Sequence, residues 1–127
     1  MKYGYKKQLQ IEFKEAIEKV KEVLGKEGFG VLTEIDVQAT MKAKLGVAYD
    51  KYMILGACNP TFAHQALMAE KEIGLLLPCN VIVYEDNGEV FVSAVMPSVA
   101  MSSVENEALA PIAQEVEARL QKVVDTL

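Results

Sequence analysis

Asn87-Gly88 lies between two alternating runs, VIVY at residues 81–84 and EVFVSAV at residues 89–95. Both turn residues tolerate positive φ, as a two-residue type I′ turn demands, and that turn matches the twist of the strands it joins. The pair predicts a β-hairpin, which commits part of the sheet to antiparallel pairing.

Upstream, residues 2–9 (KYGYKKQL) alternate weakly and read as a first strand with one dry and one wet face. Over residues 11–24 the apolar positions Ile11, Phe13, Ala16, Ile17, Val20, Val23 and Leu24 recur at helical spacing, predicting an amphipathic helix stopped at Gly25. VLTEID at residues 31–36 reads as a strand. Asp36 then caps a short helix over residues 37–45, and Gly46 supplies its left-handed end. Residues 50–57 (DKYMILGA) are apolar on both pleats at their centre, the pattern of an interior strand. Asn59-Pro60-Thr61 opens a further helix that Gly74 is expected to end. After the hairpin, Ser102 or Ser103 opens a last helical region with a break near Pro111. The stripe Ile112, Val116, Leu120, Val123 and Val124 carries that region to the C-terminus. Met41, Met53, Met68, Met96 and Met101 read as core filling. The expected architecture is α+β: an antiparallel sheet with helices packed on one face, ordered strand, helix, four strands with short helical insertions, helix.

A chain of 127 residues that is 51% hydrophobic suits one domain over residues 1–127 and can bury a core without disulfides or metals as staples. Its net charge of −5 argues against nucleic-acid binding, which needs clustered Lys and Arg to displace counterions. No apolar run approaches the ~20 residues of a membrane span, and MKYGYKKQLQIEF lacks a signal-peptide core. A cytoplasmic location is expected, where two cysteines act as thiols rather than as a permanent disulfide.

Both cysteines precede asparagine, in GACNP at residues 56–60 and in LLLPCN at residues 75–80. A helix over residues 61–72 travels ~18 Å, and extended residues 73–78 return ~20 Å. With antiparallel strands, Cys79 re-enters the sheet beside the point where Cys58 leaves it. Pro78 favours that arrangement, because a residue without an N–H more naturally precedes a strand than lies within one. Cys58, Asn59, Cys79 and Asn80 would then share one edge near a helix N-terminus, which favours anions and stabilises a thiolate. The plain alternative is that free cysteines serve as small buried hydrophobes and that Asn before Pro is turn chemistry.

His64, the single histidine, follows Cys58 by six residues. With Cys58 and Cys79 it offers three ligands and an open position, a catalytic zinc pattern, although the spacing is not that of a structural site. No phosphate-cradling glycine motif, Cys-x-x-Cys, His-Glu-x-x-His or nucleophile elbow is present.

ILGACNP at residues 54–60, Ala63, Ala66 and Leu67 on the helix that follows, IGLLLPCNVIVYE at residues 73–85 and IAQEVEARL at residues 112–120 together resemble the bacterial and archaeal family known as domain of unknown function 302. The resemblance spans essentially the whole chain. It implies a TATA-binding-protein-like α+β arrangement of strand, helix, four antiparallel strands and helix. It also implies that Cys58, Asn59, Cys79 and Asn80 with their flanking Pro60 and Pro78 are characteristic positions, without assigning an activity. The leading expectation is a cytoplasmic homodimer whose paired Cys-Asn edge binds a small molecule or soft metal, or takes part in thiol redox chemistry. A homodimeric interaction module with structural cysteines is the rival, and metal-dependent hydrolysis through His64 is the third reading.

Overall fold

The computed structural model describes residues 2–127. It holds a five-stranded antiparallel sheet built from β1 (Gly4–Leu9), β2 (Gly30–Asp36), β3 (Tyr52–Cys58), β4 (Cys79–Asp86) and β5 (Glu89–Val95), in the spatial order β1-β5-β4-β3-β2. The helices are α1 (Phe13–Lys26), α2 (Val37–Leu45), α3 (Pro60–Ala69), the short α4 (Pro97–Ala100) and α5 (Leu109–Thr126), with a 3₁₀ helix over Lys71–Leu76. The fold is therefore α+β, with strand, helix, four strands carrying helical insertions, and a final helix.

Alternation along the strands decides which face is dry. Leu55 and Ala57 on β3, Val81 and Val83 on β4, and Val90, Val92 and Ala94 on β5 are all buried. They meet the apolar stripes of α1 (Ala16, Ile17, Val20, Val23, Leu24) and α5 (Val116, Leu120, Val123, Val124) in one core cluster. The helices cover that face because the 3.6-residue and 2-residue periods present matching apolar surfaces. At one margin Tyr5 Oη donates to the Asp125 carboxylate at 2.7 Å, and Lys7 Nζ donates to the Leu127 carbonyl at 2.7 Å, pinning β1 to α5.

The hairpin forms as expected, with Asn87 at φ 51° and Gly88 at φ 80°. Asp36 caps α2 by accepting from the Ala39 N–H, and Gly46 closes it at φ 66°. Other boundaries move. α1 runs through Gly25 to Lys26, because the left-handed position that needs glycine falls at Gly28, φ 85°. α3 stops at Ala69 and the chain tightens into the 3₁₀ helix before Leu77, so Gly74 ends nothing. The last long helix starts at Leu109 rather than at Ser102 or Ser103. Pro111 sits in its first turn, where a missing N–H costs no intrahelical bond. Met68 is 76% exposed and fills no core. Among the described residues, no helix is long and apolar enough to cross a membrane.

Candidate functional site

β3 and β4 run antiparallel in a register that sets Ala57 opposite Cys79 and Gly56 opposite Asn80. Between them the chain goes out along α3 and returns through the 3₁₀ helix and Leu77-Pro78. Cys58 lies one residue beyond the level of Cys79, at the end of β3. Both are free thiols, Cys79 buried and Cys58 half-exposed.

Both line a cavity of about 350 Å³ where the end of the sheet meets α3 and α5. α3 contributes Phe62, Ala63, Ala66 and Leu67, α5 contributes Ile112, Ala113 and Val116, and Phe29, Leu32, Leu77 and Pro78 contribute from the connecting chain and β2. The cavity exists because small side chains face one another there. Ala57, Ala63, Ala66 and Ala113 leave unfilled what larger residues would occupy. Asn59 is the one lining side chain that is neither apolar nor a thiol, and no charged side chain lines the space. The outer side of Phe62 carries the Arg119 guanidinium, 5.0 Å from the ring centroid, which fixes the ring as a wall.

Asn59 caps α3, as expected from its place before Pro60. Its Oδ1 accepts from the Phe62 N–H at 3.4 Å, and the residue is 9% exposed. Asn59→Ala is expected to destabilise the chain by about 1 kcal/mol, the usual worth of such a cap; urea unfolding measures it, and an effect below the error of the method would assign the α3 start to Pro60 alone.

Asn80 does not join the other three. It is exposed, and strand alternation sets it on the uncovered face of the sheet beside Gly56. His64 is also exposed and is not among the α3 residues lining the cavity. Among the described residues, no group of three or more His, Cys, Asp or Glu side chains is placed to hold a metal ion, so His64 does not complete a set with Cys58 and Cys79.

The expectation that the α3 N-terminus turns a neighbouring thiol into a thiolate does not hold for Cys79. Burial, with a smaller contribution from the charge of a neighbouring Cys58 thiolate, pushes the Cys79 thiol from 9.0 up to about 11. Desolvation outweighs the helix end, whose exposed amide is already taken by Asn59. At neutral pH Cys79 is a neutral, soft wall atom. Because the folded value lies above the unfolded one, its contribution to stability is complete below pH 9.0 and is lost as pH rises through about 11. Urea unfolding between pH 8 and 11 is expected to show a loss of about 2 kcal/mol that Cys79→Ala removes; equal slopes for the two proteins would refute the assignment.

The alanines were the sequence's signal for this cavity: Ala63 and Ala66 on one helical face and Ala113 on another. Their juxtaposition is a tertiary fact that neither helix reveals alone.

The family described as domain of unknown function DUF302 matches residues 5–127. Among solved structures, the crystal structure of an uncharacterized conserved DUF302 protein from Bacillus stearothermophilus is similar. It has 31% sequence identity, 98% of each chain covered and a TM-score of 0.92. No curated protein matches the chain.

Proposed function

The chain belongs to the DUF302 family, and from that premise we propose that it binds a small, predominantly apolar molecule in the cavity between the end of β3, α3 and α5, with Cys58 as the accessible thiol beside it. The observation that carries this reading is an apolar cavity of about 350 Å³ whose lining holds two thiols and no charged group. Sites for small ligands are concave, mostly apolar and supplied with few polar groups, and this volume lies at the small end of their range. An anionic or strongly polar ligand finds no counter-charge there and would forfeit its hydration.

A ligand burying about 200 Å² of apolar surface gains ~5 kcal/mol. Association costs offset part of that, so dissociation constants of a few hundred micromolar or weaker are expected. The thiols favour a ligand with a polarisable or unsaturated portion, since sulfur packs well against π systems. Cys79, held neutral by burial, is unsuited to nucleophilic work. Binding rather than thiolate chemistry is therefore the reading the lining supports.

Titration with the neutral fluorophore N-phenylnaphthylamine tests it. Saturable enhancement at one probe per chain is the expected result. A signal that rises without saturation, or none, would contradict a defined apolar site.

A further inference from the structure

A second cavity, of about 270 Å³, adjoins the first. Leu77, Pro78, Cys79, Pro97 and Met101 line both, so the two spaces lie on either side of one thin wall. Away from that wall the second cavity is lined by Asn80, Val95 and Ala100 and rimmed by the exposed Leu75 and Leu76. No charged side chain lines it.

The sheet makes room for it by splitting. Cys79 and Asn80 pair with Ala57 and Gly56 of β3, whereas the ladder from β4 to β5 begins only at Val81 and Ala94. Past that pair β5 turns to β1: Val95 pairs with Gly4, and the Met96 N–H donates to the Tyr3 carbonyl at 2.8 Å. Proline stands on each strand where they part, Pro78 entering β4 and Pro97 leaving β5, and neither has an N–H with which to extend the ladder. The split leads from the helix-covered side, where the first cavity lies, toward Asn80 on the uncovered side.

We infer that the two cavities form one channel for an unbranched aliphatic chain with an uncharged polar head, the tail in the first cavity and the head at the Asn80 carboxamide. This rests on the binding reading above and narrows it to a ligand class. Two apolar spaces joined across a thin wall suit a narrow chain rather than a broad ring system. Met101, half-buried, is the one unbranched and flexible side chain among the five shared residues, and its rotation opens the passage. The head is uncharged because neither cavity holds a counter-charge. It is polar because Asn80, exposed at the mouth, presents both a donor and an acceptor. Each methylene buried strengthens binding about fourfold, so a chain that enters the second cavity keeps gaining where one confined to the first stops.

Displacement of N-phenylnaphthylamine from the full chain by hexanol and by decanol tests this. Decanol is expected to act at a concentration at least about 30-fold lower than hexanol. Ala100→Trp places an indole in the second cavity at a residue that does not line the first. It is expected to weaken decanol at least about tenfold while hexanol and the fluorophore stay within about twofold. Leu76→Trp, also at a residue of the second cavity alone, repeats the measurement should Ala100→Trp unfold. Decanol no tighter than hexanol, decanol binding that resists both variants, or a loss that hexanol shares equally would each overturn the channel while leaving the first cavity as a site. Absence of saturable fluorophore binding in the wild type would instead overturn the apolar site itself, and the channel with it.

Discussion

Leu55→Ala is expected to lower the unfolding free energy by about 3 kcal/mol, within the range for leucine truncations in packed cores. Leu55 is fully buried at the centre of β3, paired with Val81 of β4 and Glu34 of β2, under the helices. It is not among the residues lining the ligand cavity, so the space left by its removal gains no pre-existing outlet into which neighbours can relax. In a domain of this size the loss corresponds to a drop of roughly 10 °C in Tm. Urea unfolding measures it, with an unchanged m-value showing that the transition itself is unaltered. Met68→Ala, at a side chain 76% exposed, is the control and should stay within about 0.5 kcal/mol. Equal effects from the two substitutions would mean that the core does not lie where the helices meet the sheet.

Ala63→Trp is expected to reduce N-phenylnaphthylamine affinity by about 100-fold, or ~2.7 kcal/mol, while leaving the fold in place. Ala63 is half-buried on α3 and lines the cavity, so an indole there enters space that the ligand needs. Overpacking is the usual penalty for such a change, but here the added atoms find an existing void and no core side chain has to move. Thermal stability should hold or rise slightly, against the small helix-propensity cost of tryptophan. Fluorescence titration and thermal melting on the same sample separate the outcomes. Undiminished binding with intact stability would place the probe elsewhere on the molecule.

Much of this was legible in residues that carry conformational meaning by themselves. Asn87-Gly88 fixed the hairpin, the stripe from Ile17 to Leu24 fixed α1, and the two-sided apolar centre of β3 placed it inside the sheet. Asn59-Pro60 announced α3 through its cap, and the return of Cys79 to the side of Cys58 followed from element lengths together with Pro78. Misreadings came where a local signal had two structural uses. Glycine at 25 and 74 resembled helix stops, yet neither takes the left-handed conformation a stop exploits, which after α1 falls to Gly28. Pro111 resembled a break and proved a first-turn residue. The cavity was not legible, because it arises from alanines on separate helices. The thiolate expectation for Cys79 failed because the desolvation of a thiol only 8% exposed outweighs what a helix end supplies. Asn80 was grouped with its neighbours by chain proximity, whereas the pleat turns it to the opposite face.

Alkylation by iodoacetamide at neutral pH, followed by mass spectrometry of each cysteine peptide with and without saturating N-phenylnaphthylamine, addresses the shared apolar site directly. Cys58 should react first, its rate should fall at least about tenfold when the probe is bound, and Cys79 should stay unmodified in the folded chain. A Cys58 rate indifferent to the probe, or Cys79 reacting ahead of it, would contradict a ligand cavity walled by the two thiols.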